Sequence, residues 1–119
     1  MANKEFGEVL AKRELSIEGD LEEKITVIMG VPRRDSEAPY DFICPIQITG
    51  LGAETIKYVR GIDAFQAIKL GMDMLGMQLY VSLNRQLNGR LRWNGGSDLG
   101  FPLNAVVGEF GPGHFDNHE

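Results

Sequence analysis

The chain has 119 residues, a single cysteine and a formal net charge of −5 at pH 7. This length predicts one domain over residues 1–119, large enough to bury a core without a disulfide or a structural metal. We expect residues 1–7 and 108–119 to be flexible. The negative charge disfavours nucleic acid and anionic membranes as partners. The first seven residues lack a long apolar stretch, so we expect no signal peptide and a cytoplasmic location.

Two alternating runs predict the first two strands of a sheet. In the first run, apolar residues alternate with charged or polar ones, as in a half-buried strand; they are Val9, Ala11, Leu15 and Ile17. Gly19-Asp20 is typical of a turn. The apolar side of the second run consists of Ile25, Val27, Met29 and Val31. The short connection between the two runs favours antiparallel pairing.

A polar stretch bounded by prolines separates these strands from the next pair. Residues 33–39 are predicted to form an exposed loop. The third strand, residues 40–49, contains Pro45, which cannot donate a ladder hydrogen bond and therefore predicts a sheet edge or a bulge. Its Cys44 has apolar neighbours, which indicates a buried structural thiol rather than a nucleophile. Residues 55–60 form the fourth strand and complete an antiparallel meander.

One long helix is predicted from Asp63 to about Arg85. Asp63 can cap its first turn, and Gln66 stands where a capping box requires it. The helix has two apolar stripes. The first, which we expect to pack across the sheet, contains Phe65, Ile68, Met72, Leu75, Leu79 and Leu83. The second lies nearly opposite and contains Ala67, Leu70, Met74, Met77 and Val81.

Two seams separate the stripes, one containing Gln66, Lys69, Asp73, Tyr80 and Asn84 and the other Gly71, Gln78 and Ser82. The charged residues on the first seam make the helix a poor membrane span. A helix that is apolar on two sides is normally covered on more than one side. Because the chain turns back after the helix, we expect Leu91, Trp93 and Phe101 to cover most of the second stripe. The remainder would be a dimer contact.

The segment after the helix is irregular except for a short strand-like run, residues 90–93. A cluster of candidate binding residues lies in or near this run and consists of Arg90, Arg92, Trp93 and Asp98. Two interpretations remain open. Leu91 and Trp93 cover the helix while the arginines are solvated or paired with strand acids, or the cluster forms a binding rim, since Trp and Arg dominate interface energetics.

No motif predicts a metal, a cofactor or a catalytic residue. His114 and His118 have a spacing that holds a metal on a helix, but Gly111-Pro112-Gly113 precedes them, so we expect a frayed tail without a metal site. The glycine-rich turns do not match a phosphate-binding or dinucleotide-binding loop. No nucleophile elbow for Ser-His-Asp catalysis is present.

Three motifs in this order resemble an uncharacterised family of small bacterial proteins. They are Arg-Gly-Ile-Asp-Ala-Phe-Gln-Ala at residues 60–67, Gly-Arg-Leu-Arg-Trp at residues 89–93 and Gly-x-Asp-Leu-Gly-Phe-Pro at residues 96–102. The resemblance covers residues 8–102. It implies a bacterial origin and a sheet followed by a helix. The family brings no established activity, so no catalytic residue is carried over.

The sequence therefore predicts an α+β fold: a four-stranded antiparallel meander, one long helix packed on it, and an irregular C-terminal segment with a short strand. The expected function is non-enzymatic binding of a protein partner or of a second copy, the latter through the uncovered part of the second stripe, Leu70, Met74, Met77 and Val81. Size and acidity are also similar to those of immunity proteins that neutralise toxins. The alternative is a small-molecule-binding protein or an enzyme with a pocket between the helix and the C-terminal segment.

Overall fold

The computed structural model describes residues 6–35, 37, 41–51, 54–102 and 111–112. Its strands are β1 (Val9–Ile17), β2 (Asp20–Gly30), β3 (Arg33–Arg34), β4 (Phe42–Thr49), β5 (Lys57–Gly61) and β6 (Leu91–Arg92). Its helical elements follow one another without a break and are α1 (Ala64–Met77), a π-helix (Gln78–Leu83) and α2 (Asn84–Gln86). This is the α+β fold that the sequence predicts.

The strands form one sheet in the order β3-β4-β2-β1-β6, and β5 also pairs with β4. Between β2 and β4 the antiparallel pairing runs from Thr26↔Thr49 to Met29↔Ile46. The succession β1, β2, β4 and β5 is the predicted meander. The predicted short strand is confirmed as β6, which pairs antiparallel with the end of β1.

Pro45 lies inside the sheet rather than at its edge, because β4 has β2 and β3 as partners as well as β5. The predicted bulge is present beside it. The bulge lies between the pairs Met29↔Ile46 and Arg33↔Ile43. There, three residues of the segment that connects β2 with β3 lie opposite two residues of β4. A Cβ atom at Gly30 would collide with the Pro45 ring. Glycine and the extra residue therefore allow a proline at this position.

Contacts within the chain cluster into two compact units. The first comprises residues 1–13 and 26–71, and the second comprises residues 14–25 and 72–119. The first has a core of Val27, Met29, Ile43, Cys44, Ile46 and Ala67. The second has a core of Leu15, Ile17, Ile25, Leu75, Leu79, Tyr80, Leu91 and Leu99. The expectation of a single domain stays a prediction.

The beginning of the helix has the predicted cap. The Gln66 backbone N–H donates to Asp63 Oδ1 at 2.8 Å. In return, Gln66 Oε1 accepts a hydrogen bond from the Ile62 backbone N–H at 2.7 Å. These two bonds satisfy donors that a helix start otherwise leaves without partners. They fix the backbone of the turn that precedes α1.

The side of the helix that faces the core differs from the predicted first stripe. Phe65 is 86% exposed, whereas Leu75 and Leu79 of the same stripe are buried. The buried side runs at four-residue steps through Ala67, Gly71, Leu75 and Leu79. In the first unit the helix packs closely on β4 at Gly71, since a Cβ atom there would lie 3.4 Å from Cys44 Sγ. The small residues, rather than the large apolar ones, set this close approach.

The π-helix explains a second difference, which concerns Tyr80 and Asn84. Both were expected on a polar seam, and both are buried. The Asn84 backbone N–H donates to Leu79 O, five residues back, as in a π-helix. This extra residue in the turn rotates the following side chains relative to an α-helix. Stripes counted with the α-helical period therefore do not extend through the π-helix to Asn84.

One charged stretch also differs from its prediction. Residues 33–39 were predicted to form an exposed loop, but Arg33 and Arg34 form β3, and Asp35 is fully buried. The Arg34 guanidinium lies 4.9 Å from the centre of the Phe42 ring, and Arg33 Nη1 donates to Phe6 O at 3.0 Å. These contacts, which involve residues distant in sequence, order a stretch that composition alone assigns to a loop.

Candidate functional site

The predicted binding cluster lies in the second unit, where β6 joins the end of β1. Arg90 Nε donates to Leu87 O at 3.0 Å, and Arg90 Nη1 donates to Glu18 O at 3.2 Å. Arg92 Nη1 donates to Gly89 O at 2.6 Å and to Leu91 O at 2.8 Å. Both guanidinium groups thus bind backbone carbonyls and hold this segment in place.

Arg92 also has an acidic partner, Glu18, which directly follows β1. Its Nη2 lies 3.4 Å from Glu18 Oε1, and its side chain is only 17% exposed. This is the pairing with a strand acid that one interpretation of the sequence proposed. The other interpretation, a binding rim, stays a prediction.

Trp93 is half-buried and ends β6 in a tight turn. Trp93 and Gly96 exchange two backbone hydrogen bonds, each 2.9 Å long. Asn94 and Gly95, between them, have φ angles of 50° and 81°. Two residues with positive φ are typical of a hairpin turn that favours Asn-Gly. The turn determines where Trp93 lies.

Asp98 is exposed and lies next to the buried Tyr80. Asp98 Oδ1 accepts a hydrogen bond from the Gly100 backbone N–H at 2.9 Å, and it lies 3.5 Å from the Tyr80 hydroxyl. That hydroxyl accepts a hydrogen bond from the Leu99 backbone N–H at 2.7 Å. The carboxylate and the phenol therefore order the segment that follows β6.

The alternative function predicted from the sequence requires a pocket between the helix and the C-terminal segment, near Tyr80 and Asp98. At Tyr80 the helix and this segment are joined by a hydrogen bond. At Gly76 they are in close contact, since a Cβ atom there would lie 2.8 Å from Pro102 O and 3.5 Å from Phe101 Cβ. Phe101 therefore lies beside the helix, as expected. Residues 103–110 lie outside the described residues, as do His114 and His118.

Sequence reasoning missed an ionic cluster in the first unit. Asp35, which is fully buried, forms an ion pair with Arg60 Nη1, and the same nitrogen lies 3.9 Å from Asp41 Oδ2. The Asp35 backbone N–H donates to Asp41 O at 3.0 Å. A buried carboxylate needs such partners to remain charged. No local pattern reveals the cluster, because it joins residues from different parts of the chain.

Cys44 is buried, and the prediction of a structural thiol is confirmed. Burial raises the pKa of the Cys44 thiol from 9.0 to about 11. Its Sγ lies 3.6 Å from Gly30 O, to which it donates. A thiol that stays protonated and inaccessible at neutral pH is a poor nucleophile.

The most exposed large apolar residues of the helical region lie at its beginning. Ile62 is 76% exposed and Phe65 is 86% exposed; we call these two residues the apolar pair. Farther along the helix, three residues of the second stripe, Leu70, Met74 and Met77, are 37%, 38% and 37% exposed. Ala67 of that stripe is buried, and Val81 is half-buried. Part of the second stripe is therefore accessible, and its cover by Leu91, Trp93 and Phe101 stays a prediction.

No helix among the described residues is long and apolar enough to cross a membrane. The same residues contain no group of three His, Cys, Asp or Glu side chains that is arranged to hold a metal ion. The arrangements that the described residues do show are structural ion pairs, turns and exposed apolar side chains.

The fold defines a small α+β protein in which a helix packs on an antiparallel sheet. The chain belongs to the family described as Domain of unknown function (DUF6968), whose model matches residues 11–103. This agrees with the resemblance to an uncharacterised family. No curated protein and no solved structure matches the chain.

Proposed function

We propose that this chain is a non-enzymatic protein-binding module of the bacterial cytoplasm and that the apolar pair is its contact with a protein partner. The proposal rests on one observation, the exposure of two large apolar side chains, Ile62 and Phe65, three residues apart at the beginning of a capped helix. Large apolar side chains that remain in water side by side are typical of an interaction surface. An aromatic residue is a favourable anchor in such a surface.

The backbone that carries the apolar pair is rigid, which favours binding. Hydrogen bonds between Asp63 and Gln66, and between Gln66 and Ile62, hold the turn. Gly61 packs so closely that a Cβ atom there would lie 2.8 Å from Ala67 Cα. A surface that is already ordered loses little conformational entropy on binding.

The most concrete version of the proposal is an immunity-type protein that neutralises a toxin. The net charge of −5 suits a basic partner, because opposite charges speed association. Arg90, Arg92, Trp93 and Asp98 are proposed as a second contact, in which the half-buried indole of Trp93 would meet the partner.

Site-specific crosslinking in cells tests the apolar pair. A photoreactive amino acid replaces Phe65 in one variant and Leu21 in the matched control; Leu21 is 89% exposed and lies outside the helical region. We expect an adduct of one defined mass at position 65 and none at position 21. Adding Ile62→Ser should reduce the adduct at position 65, because the partner then loses half of the apolar contact.

Mass spectrometry of the adduct identifies the partner. A toxin, and above all the product of a gene directly upstream, would support the immunity version. Equal labelling at positions 65 and 21, or none at either, would rule out the apolar pair as the contact.

A further inference from the structure

The first half of β1 forms an exposed sheet edge. Residues 8–12 are all exposed, with Val9 at 43% and Leu10 at 49%. Val9 and Ala11 were expected on a buried face, yet burial begins only at Leu15. On the side of β1 away from β2, the described part of the chain supplies only β6, which pairs with Ser16 and Ile17. For residues 8–12, the described part of the chain supplies no strand partner on this side.

An open edge with exposed apolar side chains is a template for another strand. Side chains along a strand alternate between the two faces of the sheet. Leu10 and Lys12 therefore share one face of this edge, and Val9 and Ala11 share the other. Glu8 directly precedes β1, and its backbone O accepts a hydrogen bond from the Val31 N–H at 2.8 Å; the same alternation places it on the face of Leu10 and Lys12. The strand that pairs here must match a Glu-Leu-Lys pattern on one face and two apolar residues on the other.

We infer that this edge pairs antiparallel with the same edge of a second copy of the chain, with a two-fold axis at Leu10. A two-fold axis perpendicular to the sheet keeps each side chain on its own face. Leu10 then lies opposite Leu10 of the second copy, and Glu8 lies opposite Lys12 on both sides of the axis. On the other face, Val9 lies opposite Ala11, again twice.

The other registers that keep side chains on their own faces lack this match. An axis at Ala11 places Glu8 opposite Glu14, and an axis at Lys12 places Lys12 opposite itself. Like charges directly opposite each other destabilise a strand pair. An axis at Val9 places Glu8 opposite Leu10 and leaves the charges without partners. Among these axes, only the one at Leu10 pairs Glu8 with Lys12 and brings no like charges opposite each other. Residues 8–12 are therefore self-complementary, which favours a second copy over an unrelated peptide.

Sedimentation equilibrium of the full chain tests the inference through charge reversal. The wild-type chain should form a dimer in a concentration-dependent manner. Lys12→Glu and Glu8→Lys each place like charges opposite each other twice, so each should weaken dimerisation by about ten-fold or more. The double variant Glu8→Lys/Lys12→Glu restores both pairs and should restore the dimer.

Mixing the two single variants gives the sharpest arm of the test. One variant then carries two lysines and the other two glutamates, so they should form a mixed dimer although neither forms its own. A mixed dimer also shows that both variants are folded. Lys57→Glu is the matched control, since it makes the same charge change on β5, an exposed position outside the proposed contact, and it should leave the dimer unchanged.

Three results would overturn the inference. The wild-type chain could remain a monomer at every concentration, or Lys12→Glu could leave the dimer intact, or the double variant could fail to restore it. Met74→Asp distinguishes the alternative contact. If that substitution abolishes the dimer while Lys12→Glu does not, the partly exposed stripe of the helix forms the interface instead.

Discussion

The buried side of the helix and the apolar pair at its beginning differ in the size of their residues as well as in burial. The buried side begins with Ala67 and Gly71, two small residues, and continues with Leu75. The apolar pair consists of Ile62, just before the helix, and Phe65 in its first turn, and both large side chains are mostly exposed. Small residues permit close packing on the sheet, and large exposed ones provide area for a partner. The comparison separates residues that hold the fold from residues that are available to bind.

The largest expected effect is at Leu75, which is 1% exposed. Leu75→Ala should lower the free energy of unfolding by about 2–5 kcal/mol, because it removes buried methyl groups and leaves a cavity. Urea unfolding followed by circular dichroism measures this loss. A loss below about 0.5 kcal/mol would show that this side of the helix does not pack in the core.

Gly61 should be the next most sensitive position. A Cβ atom there would collide with the backbone of Gln66 and Ala67, neither of which can move without shifting the helix. We expect Gly61→Ala to cost about 1–3 kcal/mol. Thermal unfolding compares it with the matched control Gly71→Ala.

The control differs in what the new methyl group meets. At Gly71 the nearest atoms are the ends of side chains, with Met29 Cε at 3.1 Å. The flexible methionine can move, and alanine favours the helix over glycine by about 1 kcal/mol. Gly71→Ala should therefore stay within about 1 kcal/mol of the wild type. If both variants lose the same stability, the contact of Gly61 with the helix is not a special constraint.

A pH-dependent effect should arise from Cys44, which lies under the buried side of the helix. The pKa of its thiol is about 11 in the folded chain and 9.0 in the reference state. Below pH 9 the thiol is protonated in both states and has no effect. Between pH 9 and 11 the unfolded chain loses the proton first, so stability falls as the pH rises, by about 1 kcal/mol at pH 10.

The comparison with Cys44→Ala isolates this effect from other groups that titrate in the same range. Urea midpoints at pH 8 and pH 10 should differ more for the wild type than for the variant. Equal pH dependence of the two proteins would mean that the thiol is accessible to water.

The meander of β1, β2, β4 and β5 and the helix cap could be predicted from the sequence because local signals carry them. Alternation shows which residues of a strand share a face, and short connections between strands favour a meander. Asp63 and Gln66 stand at fixed positions relative to the helix start. Pro45 signalled a bulge for a local reason as well, its missing N–H.

The sequence did not show which side of the helix faces the sheet. Periodicity placed Phe65 and Leu75 in the same apolar stripe of the helix. A stripe of apolar residues does not include Gly71, which packs closely on the sheet. After Met77 the π-helix adds a residue to the turn, so the burial of Asn84 did not follow from an α-helical period. A pattern based on apolar residues alone misses small residues and changes in helical geometry.

For the candidate sites, sequence signals were weaker still. The arginines of the predicted cluster were recognised as neighbours, but their hydrogen bonds to Leu87 O and Gly89 O depend on the path of the backbone. The ion pair of Asp35 with Arg60 joins the residue that follows β3 to β5, and a charged stretch near a proline resembles a loop. The exposed Phe65 was interpreted as a core residue. Its exposure, now the basis of the proposed function, required the structure.

Unfolding of the double variant Ile62→Ser/Phe65→Ser tests most directly whether the apolar pair is separate from the core. Both side chains are mostly exposed in the folded chain, at 76% and 86%, so their removal should change the free energy of unfolding by no more than about 0.5 kcal/mol. Urea denaturation beside Leu75→Ala measures this on one scale. A wild-type midpoint for the double variant, with a clear loss for Leu75→Ala, is the predicted result. A loss as large as that of Leu75→Ala would contradict it and would show that the apolar pair is buried in the folded chain.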